Sequence, residues 1–125
     1  MIRIVFAGTL IVAAGAALAA DTGVVRTMFD RIDVPEGYET VVGSAALPPG
    51  ASIGRHTHHG VEFGYVAEGE VEFFIEGKEP FRLKAGSFYK IEAGRVHDAM
   101  AIGAPAKAVA TWVVEKGKPF SEPAK

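Results

Sequence analysis

The chain contains no cysteine, which rules out a disulfide framework, a lipid anchor on an N-terminal cysteine and any thiol nucleophile. It has no run of lysine or arginine and no basic stripe with interleaved aromatics, and its 13 basic residues are outnumbered by 15 acidic ones. Nucleic acid is therefore not an expected partner. No internal repeat or low-complexity segment is present. The glycines sit in no βαβ setting, so they form no dinucleotide-binding fingerprint. A Ser/His/Asp order around a nucleophile elbow is missing too.

What is present begins with an unusual first twenty residues. Arg3 is followed by an apolar run from Ile4 to Leu18 and by the small-residue sequence Ala17-Leu18-Ala19, the three-part layout of a secretory signal peptide. Gly8, Thr9 and Gly15 dilute a run already short for a bilayer span of about 20 apolar residues. Residues 1–20 are read as a leader cleaved after Ala19 or Ala20, leaving a periplasmic or secreted protein with no stable membrane span. Loss of Arg3 leaves 12 basic against 15 acidic residues, a net charge of −3 with histidine neutral. The leader has no twin-arginine pair, so export of the unfolded chain is expected.

From Thr40 onward the sequence is a series of short β-rich runs separated by turn chemistry, with no stretch of helical periodicity. Strands are expected at Thr40–Leu47, Ser52–His58, Glu62–Ala67, Val71–Ile75, Phe81–Leu83, Phe88–Ile91, His97–Ile102 and Lys107–Glu115. Pro48-Pro49-Gly50, Glu68-Gly69, Gly77-Lys78, Ala85-Gly86 and Ala93-Gly94 punctuate them. Such spacing reads as an all-β barrel or two-sheet jelly roll over residues 40–115. In the N-terminal segment, residues 21–39, Val24-Val25 and Met28-Phe29 suit a strand pairing either with the barrel or with a second subunit. Residues 116–125, carrying Pro119 and Pro123, read as an irregular surface tail.

His56 and His58 are two apart on an expected strand, where side chains alternate faces, so both imidazoles project to one side. Glu62 follows across the short break His59-Gly60-Val61, and His97 comes from a distant strand. Three imidazoles and a carboxylate suit one divalent transition metal such as Zn, Cu, Fe, Mn or Ni, and not Ca or Mg.

The same residues carry a family resemblance. Gly50, His56, His58, Glu62 and Gly69 fit G-x5-H-x-H-x3-E-x6-G, which resembles the first motif of the cupin superfamily at every defined position. Gly86, Gly94 and His97 fit the intervals of its second motif, G-x5-P-x-G-x2-H-x3-N. Glu92 stands where that motif has proline and Ala101 where it has asparagine. The resemblance spans about Thr40 to Glu115. It implies a cupin double-stranded β-helix, a jelly-roll-like barrel, with the family's four metal ligands falling on His56, His58, Glu62 and His97. The change at Ala101 removes a polar side chain of the kind that orients ligands.

Other polar residues are assigned no chemistry. His59 belongs in the turn, Asp98 follows His97 as a solvated strand residue, and Glu70, Glu72 and Glu76 lie on an outer face. Arg55, Lys84, Lys90 and Arg95 are the nearest cations by motif position and are read as outer-face residues. Phe74 breaks its strand's alternation and is the candidate apolar residue facing a partner. A small domain with apolar edge strands is expected to be a homodimer.

Two functions fit. One is a metal-dependent enzyme on a small organic molecule, which the resemblance implies to be dioxygenase-like first and a lyase or isomerase second. The other is a non-catalytic periplasmic metal or small-ligand binding protein. No catalytic residue is assigned. By the Irving–Williams order an N3O site filled in the periplasm favours Zn or Cu over Fe or Mn.

Overall fold

The computed structural model describes residues 21–125; the leader expected over residues 1–20 lies outside them. The described chain forms ten strands: β1 (Val25–Ile32), β2 (Tyr38–Leu47), β3 (His56–Thr57), β4 (Gly60–Glu68), β5 (Glu70–Ile75), β6 (Phe81–Lys84), β7 (Phe88–Ile91), β8 (His97–Ala101), β9 (Ala106–Glu115) and β10 (Glu122–Pro123). They make two antiparallel sheets, in the orders β1-β2-β9-β4-β7 and β10-β3-β8-β5-β6. This is the jelly-roll arrangement anticipated from the turn spacing. Among the described residues no helix is long and apolar enough to cross a membrane.

Period-two patterning explains which faces meet. On β5 the side chains of Val71, Phe73 and Ile75 are buried while Glu72 and Phe74 point outward, and Glu72 pairs with Arg82 at 2.9 Å. Phe73 stacks on Phe81 and meets Tyr89 at 4.4 Å between ring centroids. Each large apolar side chain buried this way stabilises the fold by about 1.5–3 kcal/mol.

The inner face of the first sheet is lined by small residues where its strands are longest. Gly43 of β2, Ala110 of β9 and Gly64 of β4 stand in register, and Ala45, Ala108 and Val66 form the neighbouring row. The Tyr89 ring fills the space above Gly64, but the short side chains of Ala45, Ala108 and Ala110 cannot fill the space between two sheets about 10 Å apart. A cavity of about 650 Å³ remains between them.

The structure departs from the sequence reading in two places and, at the N-terminal segment, decides between two alternatives that the sequence left open. The strand expected over Ser52–His58 is reduced to His56–Thr57, with a single bridge from Ser52 to Met100. Gly54, at φ 94°, adopts a left-handed conformation that breaks the run and turns the chain toward the barrel interior. The N-terminal segment supplies β1, which pairs with the chain's own β2. The tail is not irregular throughout: Glu122 and Pro123 pair with Thr57 and His56, and Ala124 N–H donates to the Arg55 carbonyl.

Candidate metal centre

The topology brings the four expected ligands together. His56 on β3 and His97 on β8 are direct cross-strand partners, His58 sits in the loop after β3, and Glu62 projects inward from β4. Ring centroids are 4.1 Å apart for His56 and His97, 4.9 Å for His56 and His58, and 5.4 Å for His58 and His97. One ligand atom from each of the four residues lies within 4.8 Å of the others. His58, Glu62 and His97 are buried and His56 is half-buried.

Each imidazole is held by a backbone carbonyl. Nδ1 of His56 contacts the Gly54 oxygen at 2.7 Å, Nδ1 of His58 the Phe120 oxygen at 2.7 Å, and Nδ1 of His97 the Arg95 oxygen at 2.9 Å. A carbonyl only accepts, so each Nδ1 must carry the hydrogen and donate it. In the neutral ring the lone pair is then on Nε2. Nε2 of His58 and of His97 are buried without a directed hydrogen bond, although both stand 3.3 Å from Glu62 Oε2. Lone pairs and a carboxylate oxygen facing one another repel. A cation among them removes the conflict, so these residues can hold a divalent metal ion.

The carboxylate is oriented as well. Tyr89 on β7 donates its hydroxyl to Glu62 Oε1 at 3.0 Å, leaving Oε2 toward the imidazoles. Burial alone would raise the Glu62 pKa, but where a proton stands in for a metal between them, hydrogen bonds from the His58 and His97 rings hold it well below the usual carboxylate range. Burial, with the Glu62 charge and hydrogen bond behind it, pushes the Tyr89 phenol far up, so it stays protonated as a donor. Burial lowers the His56 pKa. At His97 burial acts downward too, but the Glu62 carboxylate and the Arg95 carbonyl outweigh it and raise the pKa.

The remaining sequence assignments fall as follows. His59 turns away to contact Glu122 at 2.9 Å and lies outside the ligand group. Asp98 is not a solvated bystander: it accepts from Ser52 Oγ at 2.7 Å and from the Gly54 N–H at 2.9 Å, bracing the loop that carries the His56 acceptor. Arg55 places its guanidinium 4.3 Å from the centroid of Phe74, covering the residue expected to face a partner. Arg95 reaches Glu92 and the Glu76 carbonyl. The turn lacking the usual proline is closed instead by Gly94 N–H on the His58 carbonyl and Arg95 N–H on the Glu92 carbonyl.

Tyr89, Trp112 and the backbone carbonyls that hold the imidazoles escaped the sequence reading. Tyr89 was legible, because alternation on β7 puts it on the same face as Ile91. The carbonyl of Phe120 had no signal, since any residue supplies one. Trp112 on β9 is the cross-strand neighbour of Glu62, and its ring lies 5.9 Å from His58 and 5.2 Å from Phe120.

Comparison with solved structures finds the same architecture. The DMSP lyase DddQ from Ruegeria pomeroyi superposes with a TM-score of 0.73 at 21% identity, over 91% of this chain and 59% of that one. An uncharacterized conserved protein with a double-stranded β-helix domain from Klebsiella pneumoniae gives 0.68 at 25% identity, over 86% and 90% of the two chains. KdgF from a Halomonas species gives 0.66 at 18% identity, over 89% and 97%. The chain spans less than two thirds of the DMSP lyase chains it matches. No curated protein matches the sequence. Residues 43–114 match the cupin domain family, and with the two motifs and the jelly-roll fold in hand, the chain belongs to that family.

Proposed function

We propose that this cupin is a metal-dependent enzyme acting on a small organic molecule, with His56, His58, Glu62 and His97 as the ligands of one divalent transition metal. The observation that carries the reading is the set of three imidazoles with Nδ1 committed to carbonyls, their Nε2 atoms gathered with Glu62 at a cavity of about 650 Å³. A bound metal supplies Lewis acidity and open coordination positions. The chain supplies the rest: Tyr89 fixes the carboxylate, the apolar walls exclude water, and the space left by Ala45, Ala108 and Ala110 admits the substrate. Dioxygenase-like chemistry stands first and lyase or isomerase chemistry second; a non-catalytic binding role is the alternative.

The test is metal analysis of protein purified without chelators, then refilling with Zn, Ni, Mn and Fe in turn. One metal per chain supports the reading, and none under any condition sinks it. An oxygen-uptake screen with small phenols and diketones then separates oxygenase from other chemistry, and a zinc-loaded native protein excludes oxygenase activity because zinc has no redox change.

Two further parts of the proposal concern context. Export is supported by Arg3, the apolar run and Ala17-Leu18-Ala19 in the sequence. Homodimerisation is supported by the outer face of the first sheet, where Phe63, Tyr65 and Phe88 are exposed and Tyr65 and Phe88 are cross-strand neighbours.

A further inference from the structure

The cavity is longer than a metal centre needs. Trp112 and Ala108 both line it and lie four positions apart on the inner face of β9, a span of about 13 Å along the strand. Trp112 marks the ligand end, as the cross-strand neighbour of Glu62. Ala108 and its register partner Ala45 mark the other. Ala45, Ile53 and Trp112 are half-buried, and Ala99 and Ala108 keep a little accessible surface at 7% exposure each. These are the side chains that an occupant meets between the two ends.

Polar groups are confined to the ligand end and the mouth. Beyond the four candidate ligands and Tyr89, the polar lining residues Arg26, Thr27, Arg55 and Ser121 are exposed. Arg26 donates to the Ile53 carbonyl at 2.9 Å, and the Arg55 guanidinium lies over Phe74 on the outer face. Ser44 stands between the inward Gly43 and Ala45 on β2, so alternation turns its side chain to the other face. Trp112 offers an occupant ring carbon, because its Nε1 is buried. A molecule with hydroxyls or charges spread along its body would give up water in this space and find no partner, which is unfavourable. We infer that the cavity takes a molecule with an apolar body whose polar group is confined to the one end that meets the ligand residues, and that Ala45 and Ala108 set how large the body can be. The inference deepens the enzyme reading and rests on it for the polar end. It names the substrate class and makes Ala45 and Ala108 specificity-determining residues.

The probes are 1-butanol and 1-hexanol, each polar at one end, and sorbitol, which carries a hydroxyl on every carbon. Binding to the metal-free protein is read by calorimetry and by the fluorescence of Trp112, the chain's one tryptophan. Hexanol binds about fifteenfold more tightly than butanol, about fourfold for each added methylene, and sorbitol gives no saturable binding. Ala45→Leu fills the apolar half. It weakens hexanol binding about tenfold or more, with metal uptake unchanged and the denaturant midpoint kept or raised, as the filling of open space requires. Ile53→Asn, in the loop before β3, weakens hexanol binding about fourfold and decides the question if Ala45→Leu does not fold. Equal binding of butanol and hexanol, sorbitol binding as tight as that of hexanol, or hexanol binding untouched by a folded Ala45→Leu overturns the inference. A lowered midpoint for Ala45→Leu shows position 45 to be packed rather than open and overturns it as well. Metal uptake is measured separately. A chain that binds hexanol but takes up no metal ends the enzyme reading and leaves the inference standing, and one that takes up metal but does not bind hexanol does the reverse.

Discussion

Tyr89 donates to Glu62 Oε1 at 3.0 Å from the neighbouring strand, and its ring occupies the space above Gly64, its register partner. The two residues thereby share the work of presenting one carboxylate oxygen to the imidazoles. Tyr89→Phe keeps the ring and removes the donor. The expected outcome is a metal affinity about tenfold to a hundredfold weaker with the stoichiometry unchanged, measured by competition with a chelator. Unaltered affinity would show that the hydroxyl does not orient the carboxylate.

Gly64 is predicted to tolerate no side chain. A Cβ there would stand 2.0 Å from the Tyr89 ring, inside any permitted contact, so Gly64→Ala must displace the ring or the strand. Destabilisation of about 1–3 kcal/mol is expected, read as a lowered denaturant midpoint, together with weaker metal binding like that of Tyr89→Phe. A stable variant with native metal affinity would contradict the geometry.

Ending the chain at Pro119 removes the carbonyl that holds His58 Nδ1 along with β10. Metal affinity is expected to fall about tenfold or more, with the β-sheet circular dichroism retained. Phe120→Ala, which keeps the carbonyl, serves as the control and should lose much less.

Metal affinity should depend on pH. Only the unprotonated Nε2 ligates, and the raised pKa of His97 means that its proton competes from above the ordinary histidine value of about 6.5. His56, lowered by burial, is free of its proton at lower pH and competes less. Zinc affinity measured across about pH 5 to 8 should therefore weaken as pH falls, with the loss beginning above the ordinary value. A flat profile would argue against histidine ligation.

The proposed dimer has a simple test. Phe88→Glu places a charge on the outer face where Phe88 is 78% exposed, and it should yield a monomer by light scattering at micromolar concentration while leaving metal content intact. A wild-type monomer at that concentration ends the proposal.

How much of this was legible in the sequence follows from what kinds of signal a sequence carries. Alternation located β5 and β7 almost to the residue, because a half-buried strand writes its two faces into every second position. Ligand spacing placed the four metal-binding candidates, which the fold brings together even though His56 and His58 do not share a continuous strand. The short pairings failed to appear: β10 has two residues, too few for any periodicity. The backbone acceptors for the imidazoles were invisible in principle, since Gly54, Arg95 and Phe120 contribute carbonyls that every residue owns.

The row Gly43–Ala110–Gly64 and its neighbour Ala45–Ala108–Val66 also bear on how such a protein changes over generations. The ladder of β9 with β2 and β4 is formed by main-chain groups, and none of the four candidate ligands lies on β2 or β9. Substitutions at positions 45, 108 and 110 therefore alter the room available to an occupant while leaving ligation and sheet pairing largely alone. Drift along these strands can redirect the pocket from one guest to another by single steps, each preserving a folded protein with its candidate ligands in place.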